Sequence, residues 1–346
     1  MYNSSLFRIV DVNLNRLAEG LRVLEDIARF TLDDASLSAR LKSWRQQIRI
    51  LPENLDRQVL WNRHSDEDFG KDNPVEESAK TRDLFSLISA NGKRAQEALR
   101  VLEEVAKDPA LHLSSEQYKK IRFELYQVQK ELIGRLTRLS YASYLHGIYI
   151  VLDTSVQPAE RLVDIAKKAI NGGGRLFQLR DKLLPKAKLL DLAKELVLLC
   201  KQNEVLLIIN DYVDIALLSQ AHGLHIGQTD LPAKEARKLL PPDSLLGVSV
   251  ENVAQAQIAK SDGADYLGVG AVFPTYTKNI EVLGLEKLGE ICKAINLPVW
   301  GIGGIKTHNA SQVLQAGACG VCVISEVLRS EDPQKTVTEF VSLFSG

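Results

Sequence analysis

Residues 205–211 read Val205-Leu206-Leu207-Ile208-Ile209-Asn210-Asp211, five apolar residues that run without a break into an amide and a carboxylate. A run so short and so apolar predicts a strand buried on both faces, as in a parallel sheet. Its abrupt polar ending puts Asn210 and Asp211 at the C-terminal end of that strand. The pattern recurs in both directions. Runs suited to buried parallel strands stand at 147–152, 175–180, 205–209, 222–226, 245–248, 264–268, 298–301 and 319–324. Helical stretches fall between them, for example Pro158 to Asn171, Pro185 to Asn203 and Pro232 to Leu240. Eight strand-helix units in about 200 residues match the lower size limit of a (β/α)8 TIM barrel. An open doubly wound sheet would usually have fewer strands and one glycine-rich nucleotide loop near its start.

A parallel barrel carries its chemistry at the C-terminal ends of its strands, and polar residues gather there in this half. Strand two ends in Gln178-Leu179-Arg180-Asp181-Lys182, strand three in Asn210-Asp211, and strand four in His225-Ile226-Gly227-Gln228-Thr229-Asp230. Strand five gives Gly247-Val248-Ser249, and strand six leads into Pro274-Thr275-Tyr276-Thr277-Lys278. Strands seven and eight end in Gly301-Ile302-Gly303-Gly304 and Val323-Ile324-Ser325. Solubility alone would scatter charge over the outer helices, so seven such endings on one rim point to a site.

The residue types suggest its chemistry. Asp211 and Asp230 come from adjacent strands, and two carboxylates with oxygen neighbours suit Mg²⁺, which completes its shell with water and phosphate oxygens. Arg180, Lys182 and Lys278, with the hydroxyls of Ser249, Thr275 and Thr277, would surround a polyanion at that metal. The glycines after strand seven, with the backbone at the end of strand eight, supply amides for a separate phosphate. Two phosphorylated small molecules joined with loss of diphosphate is the reaction such a rim would serve. Taken singly, Asn210-Asp211 reads as a turn and Asp230 as a helix cap before Leu231-Pro232. His222 and His225, three apart on a strand, point to opposite faces and are expected as packing residues. The same spacing separates Cys319 from Cys322, so these read as small buried side chains.

The first 140 residues follow another principle. They hold four of the 22 glycines, Gly20, Gly70, Gly92 and Gly134, and long amphipathic periods. Residues 13–29 recur as 91–107, with nine of 17 positions identical at an offset of 78. Each copy precedes a second amphipathic segment, Ala35 to Leu51 and Ser114 to Leu139, so an all-α antiparallel bundle built from a duplicated helical hairpin is expected. A polar loop, 64–74, lies between the copies. Arg16, Glu19, Arg22 and Glu25, repeated as Arg94, Glu97, Arg100 and Glu103, read as ion-pair ladders at helical spacing. The sharper alternative is an anion pocket between the repeats, with His64 and Asp66 nearby. Domain limits are expected at 1–140 and 141–346.

Composition narrows the classes further. The 346 residues carry 43 basic and 44 acidic side chains, and neither half is strongly charged, which disfavours nucleic acid as a partner. No apolar run approaches about 18 residues, so no membrane span is expected. The opening Met1-Tyr2-Asn3-Ser4-Ser5 lacks a secretory pattern, and four cysteines do not make a disulfide framework, so a cytoplasmic location is expected.

Residues 145–346 resemble the thiamine-phosphate synthases. The resemblance lies in Gln178-x-Arg180-x-Lys182, Asn210-Asp211, His225-x-Gly227-Gln228-x-Asp230, Gly247-Val248-Ser249, Pro274-Thr275-x-Thr277-Lys278, Gly301-Ile302-Gly303-Gly304-Ile305 and Ile324-Ser325. The helical half looks like the extra domain of the long, fused form found in some bacteria. The resemblance implies joining of 4-amino-2-methyl-5-(diphosphomethyl)pyrimidine to a thiazole phosphate, with diphosphate leaving, and carbon dioxide too when the thiazole is carboxylated. It implies Asp211 and Asp230 as Mg²⁺ ligands and Gln178, Arg180, Lys182, Asn210, Ser249 and Lys278 on the pyrimidine diphosphate. Of these, Arg180, Lys182, Ser249 and Lys278 are the expected catalytic groups. Thr275, Thr277, Gly304, Ile324 and Ser325 fall to the thiazole phosphate. Tyr212 departs from the pattern, since an acidic residue is common there. Two alternatives remain: a thiazole tautomerase, which needs the phosphate site alone, and a non-catalytic sensor or scaffold of the pathway. A homo-oligomer is compatible with the sequence.

Overall fold

The computed structural model describes residues 2–62, 83–275 and 281–344. The chain divides into two compact units, Met1–Leu136 and Thr137–Gly346.

In the first unit the helices are α1 (Tyr2–Asp26), α2 (Ala35–Gln47), α3 (Glu53–Trp61), α4 (Leu84–Val105) and α5 (Ser115–Ser140), whose last turn enters the second unit. Starts are set by side-chain caps: Asp34 accepts from Leu37 N at 2.9 Å, and Asp83 from Ser86 N at 2.7 Å. Leu14, Leu17, Leu21 and Leu24 of α1 are buried in one cluster with Ile88, Leu99 and Leu102 of α4 and Leu125, Val128 and Leu132 of α5. Gly20 permits a close α1–α4 approach, since a Cβ there would stand 2.9 Å from Asn91 O. Helix α3 was not anticipated from the periodicity; Pro52 precedes it, and Glu53 and Asp56 in its first turn suit the N-terminal end of the dipole. The loop at 64–74, with His64 and Asp66, lies outside the described residues.

The expected ladders are only part of the arrangement. Arg22 pairs with Asp26, and Arg100 reaches Glu103 and Glu104 on its own helix. Glu25 and Glu103, however, are buried, and each takes a guanidinium from the following helix. Arg45 Nε lies 2.8 Å from Glu25, and Arg122 Nε 2.9 Å from Glu103. A carboxylate that is taken out of water needs such a partner, so these two repeated positions tie helix to helix, Glu103 in addition to its bond from Arg100.

In the second unit the order is β1 (Gly147–Asp153), α6 (Ala159–Asn171), β2 (Leu176–Arg180), α7 (Lys186–Gln202), β3 (Leu206–Asn210), α8 (Val213–Ser219), β4 (Gly223–Ile226) and α9 (Ala233–Leu239). It continues with β5 (Leu245–Val250), α10 (Val253–Ser261), β6 (Tyr266–Val269), α11 (Gly284–Ala294), β7 (Val299–Ile302), α12 (Ala310–Gln315), β8 (Gly320–Val323), α13 (Ser325–Leu328) and α14 (Pro333–Ser342). Each strand pairs in parallel with the next, and β8 pairs with β1 to close the barrel. Alternation along the strands builds two cores. Ile148, Ile150, Phe177, Leu207 and Ile209 face the helices, whereas Tyr149, Val151, Leu176, Leu206, Ile208, Leu245, Tyr266, Trp300 and Cys322 fill the interior. The expected strands and helices all form, with ends within a residue or two. The four cysteines are free thiols. Among the described residues no helix is long and apolar enough to cross a membrane.

His222 lies just before β4, and its Nδ1 accepts from Leu207 N at 3.1 Å. Burial, with Lys201 adding to it, lowers the imidazole from its ordinary 6.5 to about 4. The unfolded chain therefore takes up this proton first as pH falls. The stability contribution is complete above pH 6.5 and is lost between there and about pH 4. Allowing for its partial exposure, we expect a loss of about 1–2 kcal/mol between pH 7 and pH 5. His222→Asn should flatten that part of the urea-unfolding profile of the barrel; an unchanged slope would contradict it.

Candidate active site

The strand ends surround a cavity of about 800 Å³. Its walls include Gln178, Arg180, Lys182, Asn210, Asp211, Asp230, Ser249, Thr275, Gly304, Ile324 and Ser325. Thr277 and Lys278 lie outside the described residues.

On one side the charged groups are locked by neighbours. Arg180 ends β2, and its Nη1 donates to Asp153 Oδ2 at 2.6 Å. Asp153, fully buried at the end of β1, also accepts from Ser155 N at 2.9 Å and Ser155 Oγ at 2.6 Å. Arg180 Nε is buried without a protein partner among the described residues. Lys182 donates to Asp211, and that bond holds the ammonium above its ordinary range. Asp211 adopts φ +63°, a left-handed conformation costing a non-glycine residue about 1–2 kcal/mol. Its amide is held by His225 O at 2.8 Å. Strain of this kind persists where the surroundings fix a functional side chain.

Asp230 faces Asp211. Burial, followed by a hydrogen bond with Asp211, raises its carboxyl above the usual carboxylate range. Gly227 N donates to its Oδ2 at 2.8 Å, so Asp230 is held by the β4 loop and does not cap α9, whose cap is Pro232. Two carboxyls facing each other in this way are a pair of hard oxygen donors suited to a cation. Among the described residues no cluster of three or more His, Cys, Asp or Glu could hold a metal. A two-carboxylate set fits Mg²⁺, which keeps water and phosphate oxygens, and not a metal that demands a full protein cage.

The opposite end is glycine-built. Gly303 and Gly304 have φ +100° and +64°, and a Cβ on Gly304 would crowd Phe273 and Pro274 O. Asn309 fixes this turn, donating to Gly304 O at 3.1 Å and accepting from Lys306 N at 2.8 Å. Lys306 and Arg329 line the same cavity.

The reading of His225 as a packing residue is corrected. His222 precedes the strand, so the two histidines are not alternate positions on it, and His225 projects into the barrel. Its Nε2 lies 2.9 Å from Ser249 Oγ and its Nδ1 3.2 Å from the Tyr266 hydroxyl. Tyr149, Tyr266 and Trp300, also missed, close the cavity floor. Asp153 was missed as well; its buried position beside Arg180 follows from the register Asp153↔Arg180, which no local pattern reveals.

Comparison with known proteins bears on this geometry. Residues 148–327 match the family model described as thiamine monophosphate synthase, and residues 8–131 match the ThiD2 family. A thiamine-phosphate synthase from Prochlorococcus marinus subsp. pastoris is 40% identical over 332 residues, 94% of this chain and 92% of its own. Another, from Synechocystis sp., is 35% identical over 99% of this chain and 97% of its own. The chain belongs to the thiamine-phosphate synthase family. Among solved structures, thiamine phosphate pyrophosphorylase from Pyrococcus furiosus is 34% identical and superposes with a TM-score of 0.54, covering 59% of this chain and 98% of that one.

In this family member the glycine of Gly247-Val248-Ser249 has a packing reason. A Cβ at Gly247 would overlap the Tyr266 ring and His225 Nδ1. Gly247→Ala should therefore push both rings aside and destabilise the barrel by about 1–3 kcal/mol, the usual cost of overpacking. Thermal unfolding at pH 7 checks this, and a variant as stable as the parent would contradict the close fit.

Proposed function

We infer that the cavity at the strand ends is where this chain runs the reaction of its family. That reaction makes thiamine phosphate, and the chain is a transferase of thiamine biosynthesis. We assign Gln178, Arg180, Lys182, Asn210, Ser249 and Lys278 to 4-amino-2-methyl-5-(diphosphomethyl)pyrimidine, and Thr275, Thr277, Gly304, Ile324 and Ser325 to the thiazole phosphate. The convergence of Arg180, Lys182, Asp211 and Asp230 at one end of a single cavity is the observation that carries this assignment. A tautomerase needs none of these four.

Asp211 and Asp230 would hold Mg²⁺, which when bound neutralises charge developing on the diphosphate. Arg180, anchored by Asp153, offers its remaining donors to the same leaving group. Lys182 would turn from Asp211 to a phosphate oxygen. The C–O bond to diphosphate breaks with its electron pair going to oxygen, leaving a cation delocalised over the aminopyrimidine. The thiazole nitrogen then donates its lone pair to form the C–N bond. With a carboxylated thiazole, carbon dioxide leaves as well. A ring nitrogen needs no general base, so the chain's task is to place it near the cation and keep water out. The aromatic floor serves the second need.

We further propose that the helical half, residues 1–140, is an antiparallel bundle that arose by duplication of one hairpin, that residues 141–346 suffice for the coupling, and that the protein works in the cytoplasm.

The test is a coupling assay on the full-length chain with pyrimidine diphosphate, thiazole phosphate and Mg²⁺, read as fluorescent thiochrome. Product should require Mg²⁺. Asp211→Ala and Lys278→Ala should each cost about 10²-fold or more in turnover, the scale of losing one charge-stabilising group. Near-normal rates in both at saturating Mg²⁺ would sink the assignment.

A further inference from the structure

Five side chains cross the barrel floor in one hydrogen-bonded chain. Gln178 Nε2 donates to the Tyr149 hydroxyl at 2.7 Å, and that hydroxyl lies 2.8 Å from the Tyr266 hydroxyl. Tyr266 lies 3.2 Å from His225 Nδ1, and His225 Nε2 lies 2.9 Å from Ser249 Oγ. The five come from β2, β1, β6, β4 and β5. The two ends, Gln178 and Ser249, are assigned above to the pyrimidine diphosphate. The three middle residues have so far no part in recognising the substrate.

Proton counting limits what this chain can do. Four links need four protons. Each tyrosine supplies one, and a neutral imidazole supplies one. Burial pushes both tyrosine hydroxyls far above their ordinary range, so neither gives up its proton. The fourth proton must come from one end, Gln178 or Ser249, and not from both.

The two choices present different faces to a ligand. When Gln178 donates inward, the links run Tyr149 to Tyr266 to His225 Nδ1, and the imidazole gives its Nε2 proton to Ser249 Oγ. Ser249 then keeps its own proton for a ligand, and Gln178 shows its carbonyl oxygen beside its second N–H. When Ser249 donates inward, every link reverses. The Gln178 amide must then turn over, and its NH₂ stands where the carbonyl stood.

We propose that this chain selects the pyrimidine: once Ser249 donates to the anionic diphosphate, Gln178 is obliged to present its carbonyl, which matches a 4-amino group and rejects a 4-oxo group. The inference rests on the site reading given above. A 4-aminopyrimidine edge offers an N–H₂ donor beside a ring-nitrogen acceptor, and a 4-oxopyrimidine edge offers the reverse. Tyr149, Tyr266 and His225 are thus positioning residues, which act on the substrate only through Gln178 and Ser249. The selection also serves the reaction, since an amino group releases the electrons that stabilise the cation.

The experiment compares dissociation constants of the 4-amino and 4-oxo pyrimidine diphosphates, by calorimetry on the full-length chain with Mg²⁺ and without thiazole phosphate. The unmodified protein should favour the amino form by about a hundredfold or more. Tyr266→Phe and Tyr149→Phe each remove one oxygen and cut the chain, and either should bring that preference within about tenfold. A second measurement needs no variant. With the pyrimidine alcohols, which give Ser249 no anion, the unmodified protein's preference should drop by about tenfold. A preference that survives in a folded phenylalanine variant, or that is equal for alcohols and diphosphates, overturns the proposal. Failure of the unmodified protein to make thiamine phosphate would instead overturn the reading of the site.

Discussion

Tyr149, Tyr266 and Trp300 share the narrow interior of an eight-stranded barrel, and the way they share it governs most of what lies above them. Tyr149 meets both partners edge to face, with ring centroids 5.9 Å and 5.3 Å away. Three large rings on one level leave no room for side chains opposite, and glycine stands there: a Cβ at Gly247 would enter the Tyr266 ring, and one at Gly320 the Trp300 ring. The plug is therefore apolar in bulk but polar at its upper edge, because buried hydroxyls must find partners. His225, Gln178 and Ser249 supply them. Filling the barrel and furnishing the cavity floor are one packing solution, and a change to either is a change to both.

The same economy holds at the rim. Asp153 has no exposed surface, yet it takes three hydrogen bonds, one of them from Arg180. A guanidinium fixed at one end retains direction at the other, which a solvated arginine would not. Asp211 is fixed by its left-handed backbone and Asp230 by Gly227 N. Charges held this way lose little entropy when a polyanion arrives, and their mutual arrangement is set before it does.

How legible was this in the sequence? The strands were, because parallel strands buried on both faces read as unbroken apolar runs, and Leu206 to Ile209 is hardly anything else. The rim residues were, because polar groups that end such runs have one place to go in a barrel. His225 was not, since its meaning depends on where β4 begins: starting the strand at His222 makes the two histidines alternate, whereas the observed start at Gly223 frees His222 for a backbone bond. Asp153 and Tyr149 sit in an ordinary-looking strand, Gly147 to Asp153, and acquire their roles from β2, β6 and β7 across the barrel. Partners brought together by closure leave no mark on local periodicity.

The helical unit makes the complementary point. The repeat shows which positions were kept in both copies, but a helical wheel assigns Glu25 and Glu103 to ladders on their own helices. Burial decides otherwise. An exposed carboxylate three or four residues from an arginine gains a few tenths of a kcal/mol from the pairing, roughly 0.2–0.5. A buried one left alone would cost several times more, on the order of 3–5 kcal/mol. The larger quantity wins, so Glu25 is satisfied by Arg45 and Glu103 by Arg122 of the succeeding helices, with Arg100 of its own helix adding a second, more exposed partner to Glu103. Identity at both repeat positions then follows from packing: neither glutamate can change without stranding a guanidinium inside the first unit.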